Sequence, residues 1–353
     1  MPRLLQSIHP SPGDHKWVMH LLGLIERFAG RHVAVIGDLI ADEFIYGQLS
    51  RVSREAPVLI IKYDRTTILP GGAGNAASNI AAYASRARLV GLVGRSGIDR
   101  RLVRSLRHGV ERSWLIQPAG YQVPVKTRIL AGGLHTARQQ IVRVDREASL
   151  LPDQESLQVF ERAARRAVTD CDALLVSDYG SGLITPALVA RLKVHIAKRG
   201  RGRTVPILVD SRHNLMRYRG LTACTPSEFE MEQALGITIG DETTRLERAG
   251  RKVLKQTRSA GVVVTRGSRG MAVFAPGCRT EHIPIYGSDE VADVTGAGDT
   301  VIATMTLALA AGASLYEAAR LANYAGGLVV MKRGTAAVTR TELSHAVRVD
   351  NVS

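Results

Sequence analysis

The sequence predicts an α/β fold: a mostly parallel central sheet with helices on both faces, and a small accessory β-sheet beside it. Two observations carry this. Short apolar, β-type runs alternate along the chain with helical patterns, the βαβ rhythm of a parallel sheet covered on both faces. Two regions then break the rhythm with alternating apolar and polar residues, as half-exposed strands do.

Taken in order, residues 1–30 form an N-terminal extension: a tail containing Pro10 and Pro12, then Trp17 to Phe28, whose apolar positions recur at helical spacing, so that it packs on the domain edge. Strands are expected at His32–Ile36, Leu89–Val93, Ala173–Ser177, Pro206–Asp210, Gly261–Thr265 and Met271–Phe274. Helices are expected between them, among them Gly74–Ser85 and Glu155–Val168. The accessory sheet falls in Phe44–Tyr63 and Val123–Asp145, which contain Val58–Tyr63 and Gln140–Asp145. One main domain over 31–345 follows, with these two segments inserted as a lid that keeps water from the site.

Composition narrows the class. With 353 residues, 45% of them hydrophobic, the chain can bury a full core. The longest mostly apolar stretch, Val301 to Ala313, is too short to span a bilayer as a helix, and the N-terminus lacks the apolar core of a secretory signal. Cys171, Cys224 and Cys278 lie far apart, which supports neither a disulfide framework nor a zinc site and fits a reducing cytoplasm. The net charge of +15 comes from basic residues in short groups such as Arg100-Arg101, Arg165-Arg166 and Arg201/Arg203, with only 5% aromatic residues interleaved. That pattern describes a solvated basic surface rather than a nucleic-acid site, and no membrane partner is expected.

The chemistry concentrates in Asp293-Val-Thr-Gly-Ala-Gly-Asp-Thr300, followed at once by a helical run of small and apolar residues. Gly296, Ala297 and Gly298 carry little side chain, so a phosphate can approach the first amides of the helix, where the dipole favours negative charge. Asp299, in the first turn, then directs a carboxylate at an acceptor hydroxyl beside the transferring phosphate, as a general base requires. A helix cap is the alternative use of such a turn.

The extended motif resembles the signature of the ribokinase-like (PfkB) carbohydrate kinases, in which the final Asp is the catalytic base and the Gly-Ala-Gly the anion hole. Other segments extend the likeness over roughly residues 30–340. Asp38, with Gly71, Gly72 and Asn75 of Pro70-Gly-Gly-Ala-Gly-Asn75, matches that family's sugar-binding edge. Thr265, Gly267 and Gly270 match its nucleotide turn, although a plain hairpin also uses such glycines, and Asn323, Lys332 and Gly334 match the segment closing over adenine. ATP and Mg2+ are thereby implied, with Glu230 in the family's metal-organising position although Ser227 stands where relatives carry Asn. There is no Walker loop and no protein-kinase motif set.

Within the family the chain most resembles the kinases of D-glycero-beta-D-manno-heptose 7-phosphate, including the kinase half of bifunctional ADP-heptose enzymes. The segments Gly37–Phe44, Ser50–Val58, Gln139–Arg146 and Ser177–Gly180 carry that likeness. A phosphorylated acceptor gives Arg128, Arg138 and Arg143 a role as candidates for its distal phosphate. Ser181 stands where relatives carry Lys, and Asp210-Ser-Arg212 replaces a DPK-type strand end. With the chain ending at Ser353, a stand-alone kinase is expected, and burial of the accessory sheet's apolar face points to a homodimer. A kinase for another sugar or sugar phosphate and a weakly catalytic sugar- or nucleotide-binding sensor remain open readings.

Overall fold

The computed structural model describes residues 15–132, 138–148, 152–199, 204–287, 293–332, 334 and 336–350. The proline-containing tail and the basic residues Arg201 and Arg203 lie outside them.

The main sheet is built from β1 (His32–Gly37), followed, after two strands of a second sheet, β2 (Leu39–Val52) and β3 (Leu59–Gly72), by β4 (Arg86–Leu92), β5 (Val110–Glu111) and β6 (Leu115–Ile116). Two more strands of the second sheet, β7 (Val125–Gly132) and β8 (Gln139–Arg146), come before β9 (Ala173–Asp178), β10 (Ile207–Ser211), β11 (Ala223–Cys224), β12 (Val262–Thr265), β13 (Met271–Phe274) and β14 (Glu281–Ile283). The main sheet runs β14-β13-β12-β11-β10-β9-β1-β4-β5, with β6 also on β4, and is parallel from β12 through β5. Its central strands are continuous apolar runs because helices cover them: every residue of Val33–Gly37 and Ala173–Asp178 is buried.

The helices are α1 (His15–Glu26), α2 (Ala73–Ala82), α3 (Gly97–Ser105), α4 (Gln154–Ala167), α5 (Pro186–Arg199), α6 (Glu228–Leu235), α7 (Thr243–Thr257), α8 (Ala297–Ala310), α9 (Leu315–Val330) and α10 (Arg340–Asp350). The Val301–Ala313 stretch becomes α8, buried from Asp299 to Leu309. Thr304 and Thr306 are tolerated in it because their hydroxyls donate back to the carbonyls of Thr300 and Ile302 at 2.8 and 2.7 Å. The amphipathic α1 buries Trp17, Leu21, Leu22, Leu24 and Ile25, and Trp17 meets Tyr316 of α9 at 6.3 Å between ring centroids. Among the described residues no helix is long and apolar enough to cross a membrane.

The accessory sheet is present, in the order β3-β2-β7-β8, but its first hairpin is longer than expected. Pro70-Gly71-Gly72, just before the helix expected at Gly74–Ser85 and beyond the expected Phe44–Tyr63 segment, is the end of β3, paired with Ala41, Ile40 and Leu39. Proline is accommodated because β3 is an edge strand. The sheet therefore reaches the end of β1 and carries its side chains to that edge.

The chain leaves β1 toward β4 on one side and later returns through β9 on the other. In open α/β sheets the crevice at such a reversal, beyond the carboxyl ends of the strands, is where ligands bind. Here those ends are Gly37-Asp38 and Asp178-Tyr179.

Candidate active site

A cleft of about 240 Å³ opens at that position, lined by Asp178, Tyr179, Asp210, Arg212, Thr225, Ser227, Glu230, Thr265, Val294, Gly296, Gly298 and Asp299. The start of α8 forms one wall. Gly296 takes the left-handed backbone at φ 78°, which lets the turn enter the helix without a Cβ clash, and no side chain caps α8. The Ala297 N–H turns back onto Val294 O at 3.3 Å, and Thr300 N–H onto Gly296 O at 3.1 Å. Among the described residues the N–H groups of Gly296, Gly298 and Asp299 have no acceptor, so they are donors open to an anion, the last two in the first turn of α8.

Asp299 is buried, and both its oxygens accept hydrogen bonds. Asn75 Nδ2 donates to Oδ2 at 2.9 Å and Tyr179 Oη donates to Oδ1 at 3.2 Å. Burial, the dominant cause, pushes its carboxyl up to about 7; the bonds from Asn75 and Tyr179 oppose this, and Asp42 adds to it. Each oxygen keeps a lone pair for an acceptor hydroxyl.

Asn75 is committed within the protein: it donates also to Gly296 O at 3.4 Å, while its Oδ1 accepts from Asn79 Nδ2 at 3.1 Å. The sequence reading gave this amide to a sugar; in the structure its NH₂ also holds Asp299. Asp38 accepts from Ser181 Oγ at 2.5 Å and from Tyr179 N–H at 2.8 Å, and burial raises its pKa first of all. Ser181, where relatives carry Lys, thus serves as a neutral donor to Asp38. Gly71 is required by close approach, since a Cβ there would lie 2.4 Å from Asp42 Oδ2, and Gly72, at φ 55°, would place one 2.5 Å from Asp38 O.

The three arginines expected to meet a distal phosphate each have a carboxylate. Arg128 forms a buried ion pair with Asp42, Arg138 donates to Asp64 at 2.7 Å, and Arg143 makes two bonds of 2.9 Å to Asp145. The sequence reading passed over Lys126, and it quoted Tyr179, Asp210 and Arg212 within motifs without naming them as site residues. Lys126 Nζ and Arg212 Cζ lie 5.0 and 5.1 Å from the centroid of the Tyr179 ring. Asp178 anchors this region, accepting from Tyr218 Oη at 2.6 Å, Ser211 Oγ at 2.8 Å and Gly180 N–H at 3.0 Å.

On the opposite wall Thr265 bridges Ser227 and donates its N–H to Pro226 O at 3.0 Å. Gly267 and Gly270 make the following turn with left-handed backbones, and Arg266 and Arg269 are both tied to Glu228. Asn323 donates to Pro284 O at 2.8 Å, Lys332 pairs with Glu342 at 2.7 Å, and Gly334 N–H donates to Asp293 Oδ2 at 3.1 Å. These three thus brace the loops behind the turn.

Glu230 is the third residue of α6 and forms a reciprocal capping box with Ser227, with bonds of 2.8 and 3.2 Å. Serine in the family's Asn position is thereby given a structural task. Asp210 faces the same cleft, and its carboxyl is pushed well above the usual range, by burial first and then by Glu230 and Asp299. A divalent cation with its water shell fits this set of acidic oxygens, although the described residues hold no group of three or more His, Cys, Asp or Glu able to bind a metal directly.

Comparison with known proteins agrees with this architecture. The chain is 40% identical over 328 residues to the Bifunctional protein HldE of Caulobacter vibrioides, covering 92% of this chain and 65% of that protein. It is 37% identical over 321 residues to the protein of the same name from Desulfatibacillum aliphaticivorans, covering 90% and 63%. The chain therefore spans just under two thirds of the length of these relatives. Among solved structures it superposes on Arabidopsis thaliana ribokinase complexed with ribose and ATP at a TM-score of 0.67, with 19% identity and 90% and 99% of the two chains covered. It also superposes on Escherichia coli phosphofructokinase-2 in complex with fructose-6-phosphate at 0.69, with 16% identity and 91% and 99% covered. At such identities these likenesses concern the fold. The family model for the pfkB carbohydrate kinases matches residues 31–342, and the chain belongs to that family.

Proposed function

We propose that this carbohydrate kinase transfers the γ-phosphoryl group of ATP to the anomeric hydroxyl of D-glycero-beta-D-manno-heptose 7-phosphate, giving the 1,7-bisphosphate, with Asp299 as general base. The observation that carries the mechanism is the buried Asp299 carboxylate, held from two sides at the uncapped start of α8 beside two open amides. The hydroxyl proton passes to Asp299 as the sugar oxygen bonds to the γ-phosphorus; the bond to the β,γ-bridging oxygen breaks and ADP leaves with the electron pair. The Gly298 and Asp299 amides and the α8 dipole stabilise charge on the transferring group. Mg2+, held by the phosphates and through water by Asp210 and Glu230, would neutralise the phosphate oxygens. Thr265, Gly267 and Gly270 form the nucleotide wall, and Asp38 takes sugar hydroxyls.

The acceptor is drawn from the resemblance of Gly37–Phe44, Ser50–Val58 and Gln139–Arg146 to heptose 7-phosphate kinases, together with the HldE relatives. Magnesium-dependent ADP release with this heptose phosphate, ribose, fructose and fructose 6-phosphate tests it. Turnover confined to the heptose phosphate is expected; turnover on another acceptor alone would discard the assignment, and none on any acceptor, with ATP still bound, would favour a sensor.

A homodimer through the accessory sheet belongs to the same reading. Val142 and Val144 are exposed on the face of β8 opposite Arg143 and Asp145, and Leu59 is exposed on β3. Burying such a face against a second copy is worth about 25 cal/mol per Å² of apolar surface. Light scattering after size exclusion should give twice 38.1 kDa at micromolar concentration and a shift toward monomer for Val144→Asp. Monomer alone for the wild type would remove the dimer.

A further inference from the structure

Lys126 and Arg212 come from different sheets and meet at one tyrosine. Strand alternation puts Lys126 on the same face of β7 as Arg128, next to Asp42 on β2 and Asp145 on β8 in register. Arg128 and the neighbouring Arg143 are neutralised by Asp42 and Asp145. Lys126 is left with no acid at ion-pair distance among the described residues. Arg212 follows β10 and lines the cleft beside Asp210, whose carboxyl it favours in the charged form, and among the described residues it forms no ion pair either. Their charged ends lie 5.0 and 5.1 Å from the Tyr179 ring, whose hydroxyl donates to Asp299.

This placement is unfavourable as it stands. Burial, followed by repulsion from Arg212, holds the Lys126 ammonium below its usual range. An anion between the two cations would relieve that repulsion and complete charge-assisted hydrogen bonds to both. An uncharged sugar would leave that repulsion in place. Asp42 and Asp145 act on Lys126 and Asp210 on Arg212 without closing an ion pair, so two cations one aromatic ring from the proposed base call for a ligand that brings its own negative charge.

We propose that Lys126 and Arg212 form the site for the acceptor's own phosphate, making them the residues by which this kinase selects a phosphorylated sugar, in place of Arg128, Arg138 and Arg143. This rests on the reading of the acceptor as a sugar phosphate. The tyrosine they share couples the site to the base: its ring meets both cations and its hydroxyl donates to Asp299, so a phosphate held by the two cations fixes how far from Asp299 the reacting hydroxyl lies.

Calorimetric titration of the wild type, Lys126→Met, Arg212→Met and Lys126→Arg with D-glycero-D-manno-heptose 7-phosphate, the unphosphorylated heptose and inorganic phosphate tests the site without needing turnover. Each Met variant should bind the heptose phosphate about 10- to 100-fold more weakly, the range of a lost charge-assisted contact. Binding of the unphosphorylated heptose should stay within about twofold, and Lys126→Arg should recover most of the loss. KM for ATP should not follow. Arg191→Met, which breaks a surface pair with Glu161, controls for the drop in net charge and should change nothing. Equal weakening for both heptoses, or a rise confined to the KM of ATP, would overturn the proposal. Its failure is separable from that of the kinase reading. Unchanged phosphate affinity in Met variants of an active enzyme sinks the site alone, whereas absent ADP release with phosphate binding still dependent on Lys126 sinks the assigned reaction alone.

Discussion

Asp299→Asn will lower turnover by about 10²- to 10⁴-fold while leaving ATP binding in place, because it removes the proton acceptor but keeps the shape of the side chain. The surrounding bonds can be kept: the new amide's oxygen still accepts from Asn75, and its NH₂ can donate to the Tyr179 hydroxyl. The wild-type rate should rise tenfold per pH unit below about 7 and level off above it, since burial places the carboxyl's pKa there and only the ionised form acts as a base. Stability should move the other way. The folded chain holds this proton up to about 7 whereas the unfolded chain releases it near 3.8, so wild-type stability falls as pH rises between those values. That interval corresponds to at most about 4 kcal/mol, so the variant should be more stable than the wild type at pH 8 by about 1–3 kcal/mol and level with it at pH 4. Turnover within tenfold of wild type would take Asp299 out of the base's role.

The parts of this site that lie in one stretch of chain were legible in the sequence. Gly296 to Asp299 form a turn and the start of a helix, so their geometry follows from local backbone preference and from the small residues that fill α8. The parallel core was legible for the same reason, since each central strand is a short apolar run in which every residue is buried. What escaped was set by topology or by partners far along the chain. Lys126, Tyr179 and Arg212 belong to three separate segments and meet only because β1 and β9 pair at the reversal of strand order and the accessory sheet reaches that edge. The two-residue strands β5, β6 and β11 are too short to show any period. Pro70 lies outside the Phe44–Tyr63 segment expected for the accessory sheet, where an edge strand simply continues. The pairing of the three arginines escaped for a related reason: composition counts cations but does not show which of them already hold a carboxylate, and Asp42 lies 86 residues from Arg128.

That pair carries the second large effect. Arg128→Met should destabilise the protein by about 3–5 kcal/mol, as breaking a buried ion pair by removing one partner does, with a fall in Tm of roughly 10 °C. Both side chains are almost fully buried, and the loss of the guanidinium strands the Asp42 carboxylate between Gly71 and the rest of the sheet. Burial raises the Asp42 pKa even with Arg128 beside it. Without that cation the folded state will hold the proton to still higher pH, so stability will decline more steeply with rising pH in the variant, and the deficit measured at pH 8 should shrink at pH 5. Asp42→Asn added to Arg128→Met should restore most of the stability, because a neutral amide can be buried at far lower cost than an unpaired charge. Affinity for the heptose phosphate, measured on the folded fraction, should change little in either variant. An Arg128→Met protein of undiminished Tm that binds the phosphorylated sugar weakly would return the distal phosphate to Arg128, and with it the assignment of Lys126 and Arg212 would fall.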